Sequence, residues 1–222
     1  MFLLIKPLLE AVEVERLLEL SRTLKFVDGR ASNPANRTKD NLQADHSDPR
    51  YAESVQIVAR AFGRSREFRE FAFPKQIAPP LLCRYEPGMK YGAHADAAYI
   101  QTAGGALRSD LSCTVFLSDP GTYEGGELAI NCGLAEPIHV KGLSGEAIVY
   151  PSTTVHEVLP VRSGVRIVSI TFIESLIRDQ FKRFQLYELN EIAALEGLKM
   201  SWENRVRFEA ARQNILRMWS GA

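Results

Sequence analysis

The sequence predicts a mainly β core flanked by helices: a sandwich or barrel, with the double-sheet jelly roll among the options. From Pro79 to Ser175 the chain is cut into short runs rich in β-branched and aromatic residues, among them PPLLCRY, LSCTVFL, GEAIVY and RIVSITFI. Turn signals such as Glu86-Pro87-Gly88, Asp119-Pro120-Gly121, Gly125-Gly126 and Ser163-Gly164 separate them. Segments with helical spacing of apolar residues lie on both sides of this region, so helices are expected to cover a β core rather than alternate with its strands.

Each element follows in turn. Leu8, Val12, Val14, Leu17, Leu18, Leu20 and Leu24 space a helix over residues 8–25, with Pro7 suited to its start. Asp28 to Pro49, with Gly29, Pro34 and several Asn and Asp, reads as loop with one short strand. Residues 51–71 read as one or two helices broken near Gly63. The β runs come next. After Ser175, Leu176, Ile177, Phe181, Phe184, Leu189, Ile192 and Leu195 space another helix, and a last one starts at Ser201. The division is therefore 1–76, an N-terminal helical support; 77–175, the β core; and 176–222, a C-terminal helical segment, all expected in one compact unit.

Composition bounds the function. At 222 residues the chain fits one domain, since β-rich single domains extend to about 250 residues. With 27 basic and 27 acidic residues it carries no net charge to draw it to nucleic acid or anionic membrane, and neither is expected as a partner. No apolar run approaches the ~20 residues that span a bilayer, and the opening MFLLIKPLLEAVEVERLLEL is too short in its apolar part for a secretory signal. Cys83, Cys113 and Cys132 are odd in number and form no CxxC pair, which predicts reduced thiols and a cytoplasmic protein.

Chemistry concentrates in YGAHADAAY, residues 91–99. On extended backbone His94 and Asp96 leave the same face. With His156 they form a set of two imidazoles and a carboxylate, the donor types of a non-haem Fe(II) facial triad, which leaves open positions for substrate and O2. The same donors also suit zinc hydrolysis, although no HExxH helix is present. Arg166 begins RIVSITFI beyond the turn at Ser163-Gly164, and shares a strand face with Val168, Ile170 and Phe172. An unpaired buried guanidinium costs several kcal/mol, so an anion should meet it, and its planar fork suits a carboxylate.

These residues carry a family resemblance. His94-Ala95-Asp96, His156 and Arg166 are similar to the HxD…H…R pattern of Fe(II)/2-oxoglutarate-dependent dioxygenases, whose fold is a double-stranded β-helix. RYEPGMKYGAHAD, LSCTVFLSDPGTYEGGEL, YPSTTVHEVLPVRSGVR and ESLIRDQ resemble more closely the PKHD-type hydroxylases, bacterial relatives of the prolyl 4-hydroxylase catalytic domain. The resemblance implies that His94, Asp96 and His156 hold Fe(II), that Arg166 pairs with the C5 carboxylate of 2-oxoglutarate, and that Tyr85 contacts the same oxo acid. It further implies hydroxylation of a peptidyl residue or small molecule, a connection with iron uptake, release of succinate and CO2, and ascorbate as a reductant. The rival readings are a non-oxidative cupin-like metal-binding module or isomerase, a zinc hydrolase, and a protein with a vestigial site.

Several residues stay open at this level. Ser112, Thr114 and Phe116 share one face of LSCTVFL, inward or outward. Tyr99 and a loop through Gly105 are expected to border the substrate entrance. His46 and His139 read as solvated residues. Trp202 and Trp219 on the last helix either close one end of the β core or form a homodimer contact.

Overall fold

A computed structural model describes residues 2–32, 36–133 and 136–221; Pro34 lies outside them. The N-terminal part runs β1 (Leu3–Ile5), α1 (Ala11–Thr23), β2 (Phe26–Asp28), β3 (Lys39–Asp40), β4 (Leu42–Ala44), α2 (Tyr51–Arg64) and α3 (Arg66–Ala72). The β region follows with β5 (Pro74–Ile77), β6 (Leu81–Tyr85), β7 (Lys90–His94), β8 (Tyr99–Thr102), β9 (Gly105–Arg108), β10 (Leu111–Phe116), β11 (Glu124–Gly125) and β12 (Leu128–Ile130). It ends with β13 (Ile138–Val140), β14 (Ala147–Pro151), β15 (His156–Val158), β16 (Val161–Ser163) and β17 (Arg166–Ser175), before α4 (Gln180–Glu196) and α5 (Trp202–Trp219).

Two antiparallel sheets form the core. The major sheet runs β1-β14-β10-β17-β6-β4-β2, with β5 also paired to the long β17; the minor sheet runs β13-β12-β15-β7-β3. The fold is a double-stranded β-helix flanked by helices.

Side-chain alternation divides the major sheet between two cores. Leu111, Cys113 and Val115 of β10, Val149 of β14 and Ile167 of β17 pack against Val14, Leu17 and Leu20 of α1, Ile57 and Phe62 of α2, and Phe68 of α3. The intervening residues, Phe116, Ile148, Tyr150 and Val168, join Leu128, Ile130 and Val158 between the sheets. This answers the question left open for β10: Ser112, Thr114 and Phe116 share the inward face, because Ser112 lies opposite Phe172 and Tyr150, and Thr114 opposite Ile170 and Ile148.

Several local expectations are corrected. Pro7 follows a cis peptide in a turn and does not open α1, which begins at Ala11. There the Glu13 carboxylate accepts from the Glu10 N–H at 2.9 Å and satisfies a free helical donor. The break expected near Gly63 falls at Ser65, because Ser65 Oγ accepts from the Phe68 N–H at 3.1 Å and caps α3. The stretch read as loop with one strand begins at the last residue of β2 and holds two short strands, β3 and β4. Residues 99–108 form a hairpin, β8–β9, whose Arg108 binds Asp110 through Nε and Nη2, both at 2.8 Å.

The C-terminal helices lie on the helical side. Phe71 of α3 meets Tyr187 of α4 edge-on, and Asn190 of α4 donates to the Glu70 carbonyl at 3.0 Å. Trp219 packs against a small cluster of Phe73, Ile177 and Leu186, not against the interior of the barrel. Trp202 remains 72% exposed.

Candidate functional site

The site forms where β7 and β15 run side by side. Their register places His156 opposite His94, so residues far apart in sequence present their rings together, with centroids 4.4 Å apart. Asp96 lies just past the end of β7, and its N–H donates to the Ser152 carbonyl at 3.3 Å. His94 Nε2 is 3.8 Å from Asp96 Oδ1, and His156 Nε2 is 3.7 Å from Asp96 Oδ2. One ligand atom from each of the three residues lies within 4.8 Å of the others, and this group can hold a metal ion.

The hydrogen bonds behind the ligands orient them. His94 Nδ1 contacts the Gly92 carbonyl at 2.8 Å, and His156 Nδ1 the Thr154 carbonyl at 3.0 Å. A carbonyl only accepts, so each Nδ1 carries the proton and each Nε2 keeps its lone pair for a cation. Burial, then the facing His156, lowers the pKa of His94 and favours the neutral ring that a metal requires. Tyr91 stacks on His94 with centroids 3.6 Å apart, and Tyr150 meets His156 edge-on.

A chain of buried serines supports Asp96. Ser112 Oγ donates to Asp96 Oδ2 at 2.5 Å, lies 2.7 Å from Ser152 Oγ, and Ser109 Oγ donates to Ser152 Oγ at 2.7 Å. Because the Ser112 proton is committed to the carboxylate, Ser152 must donate to Ser112, and the chain has one direction. Oδ2 is thereby engaged.

Arg166 enters from the major sheet. It is 1% exposed and lies opposite Tyr85 in the β17–β6 register, with its guanidinium 5.0 Å from the Tyr85 ring. Tyr123 lies beside it, and Gly126 leaves room for its stem, since a Cβ at that position would come 2.9 Å from Arg166 Cδ. Nε and Nη1 have no hydrogen-bond partner among the described residues. Burial raises the pKa of both Tyr85 and Tyr150, so their phenols stay neutral. Val168 and Ile170 follow Arg166 on the same inward face.

Three further residues were not anticipated from the sequence. Lys39, Asn41 and Gln43 are all buried, at 5%, 3% and 5% exposure. Lys39 lies opposite Tyr91 in the minor sheet, and Gln43 opposite Cys83 in the major sheet, so both face the interior. Asn41 lies between them, beside Tyr85. The alternation Lys-x-Asn-x-Gln was the available signal, a polar strand face of period two. A surface groove of about 550 Å³ along α1 is on the helical side of the major sheet, away from the three candidate ligands.

The chain is similar to known proteins of one superfamily. Residues 80–174 match the family model of the 2OG-Fe(II) oxygenase superfamily. A PKHD-type hydroxylase of Sphingopyxis alaskensis is 52% identical over 206 residues, 93% of this chain and 94% of that protein. The PKHD-type hydroxylase YbiX of Escherichia coli is 36% identical over 220 residues, 97% of each. Among solved structures, a prolyl hydroxylase of Trichoplax adhaerens in complex with a hypoxia-inducible-factor peptide fragment superimposes with a TM-score of 0.61, covering 78% of this chain and 82% of that one at 14% identity. HygX of Streptomyces hygroscopicus, with nickel and 2-oxoglutarate bound, gives 0.54, covering 79% and 84% at 14% identity. At these identities the structural likeness concerns the fold.

Proposed function

This chain belongs to the PKHD-type hydroxylases within the 2OG-Fe(II) oxygenases, and we propose that His94, Asp96 and His156 hold its Fe(II) while Arg166 and Tyr85 hold the distal carboxylate of 2-oxoglutarate. The enzyme is a hydroxylase of the dioxygenase class. The observation that carries the residue assignment is Arg166, a fully buried cation with two nitrogens that lack partners among the described residues, on the inward face of the same barrel as the triad. Its planar fork fits a carboxylate, and two imidazoles with one carboxylate fit a ferrous ion.

When bound, Fe(II) and 2-oxoglutarate supply the oxidising power: O2 is consumed, the oxo acid leaves as succinate and CO2, and a substrate C–H becomes C–OH. The protein provides orientation. Neutral imidazoles present Nε2, held by the Gly92 and Thr154 carbonyls. Ser112 fixes the Asp96 carboxylate. Leu128, Ile130, Ile148, Val158 and Val168 line the interior with apolar surface that limits water around the reacting groups. The substrate is a peptidyl residue or a small molecule, ascorbate serves as reductant, and the three free cysteines suit a reducing cytoplasm.

The test is anaerobic reconstitution with Fe(II), followed by addition of 2-oxoglutarate and O2 and measurement of succinate. Wild type is expected to release succinate and Arg166→Ala to release far less. A cupin-like module would release none from either protein, and equal release from both would refute the role given to Arg166.

A further inference from the structure

The Lys39 ammonium is buried and short of partners. Its one hydrogen bond among the described residues is to Ser32 Oγ at 2.7 Å, and its other close neighbour is the Tyr91 ring, 5.3 Å from Nζ. No carboxylate lies within ion-pair distance of it among the described residues; Asp28 and Asp96 act on it only at longer range. An ammonium has three protons to donate, and a buried charge of this kind normally meets an opposite one. Two amides of the same strand face are also incomplete: Asn41 Oδ1 and Gln43 Oε1 have no hydrogen-bond partner among the described residues.

Asn41 lies beside Tyr85 at the Arg166 end of the barrel, but Lys39 and Arg166 come from different sheets. Arg166 sits within the major sheet, on a strand with neighbours on both sides, whereas Lys39 sits on β3, the edge strand of the minor sheet, next to the strand that carries His94. Tyr91 links the two: it lies opposite Lys39 and stacks on His94. A charge count gives the consequence, and it rests on the function proposed above. The ferrous dication is offset by Asp96 and by one carboxylate of 2-oxoglutarate, and Arg166 by the other carboxylate. Lys39 is left uncompensated on the strand next to the one that carries His94.

We propose that Lys39, with Gln43, is a binding subsite for a carboxylate of the primary substrate, so that the enzyme acts on a carboxylate-bearing molecule. The ammonium pairs with the anion, the Gln43 amide N–H donates to it, and the Gln43 amide oxygen accepts from an N–H or O–H group nearby in the substrate. Tyr91, opposite Lys39 and stacked on His94, connects the anchored end to the strand that carries the first ligand.

The test uses the full-length protein loaded with Mn(II) and saturated with 2-oxoglutarate, with acetate and acetamide as probes. Mn(II) broadens the proton signals of molecules held near it. The methyl signal of acetate is expected to broaden in wild type well beyond that of acetamide. Lys39→Met should weaken the acetate effect by roughly thirtyfold or more, the scale of removing one partner of a buried charge pair, and Lys39→Arg should restore part of it. The affinity for 2-oxoglutarate, measured on the same Lys39→Met sample, should stay within about twofold of wild type, which also shows that the variant is folded. No acetate broadening in wild type, or equal broadening in wild type and Lys39→Met, overturns the proposal. A large loss of 2-oxoglutarate affinity in Lys39→Met overturns it too, since Lys39 would then serve the co-substrate. If wild type binds neither Mn(II) nor 2-oxoglutarate, the function proposed above fails instead, and that measurement comes first.

Discussion

Ser112 Oγ donates to Asp96 Oδ2 at 2.5 Å, joining the middle of the major sheet to the one carboxylate of the candidate metal site. Behind it Ser152 and Ser109 continue the chain, all three serines buried. Ser112→Ala removes the donor to Asp96 and leaves the Ser152 hydroxyl without its acceptor. Metal affinity is expected to fall about 10- to 100-fold, the usual cost of losing a group that orients a ligand. An anaerobic Fe(II) or Mn(II) titration of wild type and variant measures it, and unchanged affinity would show the serine chain to be packing alone.

Removing a ligand should separate metal binding from folding. His156 is 5% exposed, but the strand around it is held by pairing on both sides, to β12 and to β7. His156→Ala is therefore expected to fold and to lose the metal. Any ligand that binds only the native state raises stability, by about 2.7 kcal/mol at a hundred times its Kd. Adding Mn(II) should raise the melting temperature of wild type and leave that of His156→Ala in place; an equal rise in both would point to a different metal site.

Gly126 tests the placement of Arg166 without touching its charge. Its φ is +67°, a region that favours glycine, and a Cβ there would come 2.9 Å from Arg166 Cδ and 3.0 Å from Val161 Cγ2. Gly126→Ala should push the guanidinium aside, weakening 2-oxoglutarate binding at least tenfold, about 1.4 kcal/mol, while Mn(II) affinity holds. Calorimetric titration with each ligand distinguishes the two; parallel losses would mean general unfolding.

Thiol reactivity should report the buried interior. Cys83 and Cys113 are buried and Cys132 is exposed. Burial pushes the Cys83 thiol up to about 11 and raises Cys113 further, so neither forms thiolate near neutral pH, and the thiolate is the reactive form. An aromatic disulfide reagent at pH 8 is expected to label Cys132 fast in the native protein, and all three cysteines after denaturation. Fast native labelling at Cys83 would contradict the closed packing of β6.

Some of this protein is readable along the chain, because local rules suffice for it. The short β-branched runs, their glycine and proline turns, and the spacing of the flanking helices determine a helix-covered β core. His94 and Asp96 lie two apart on one strand end, and Arg166 heads a run whose alternating face is apolar, so donor types and facing could be read from the sequence. Tertiary structure alone decided the rest. The face of Ser112 depends on which side of β10 meets the helices, and both sides are buried, so no polar alternation marks one of them. Lys39 and Gln43 sit on strands of two and three residues with Asn41 between them, too short for periodicity to stand out from loop. They become interior only because β3 extends the minor sheet beyond β7 and β4 extends the major sheet beyond β6. Burial of a polar side chain is set by what closes over it, and here the closing partners come from strands far along the chain.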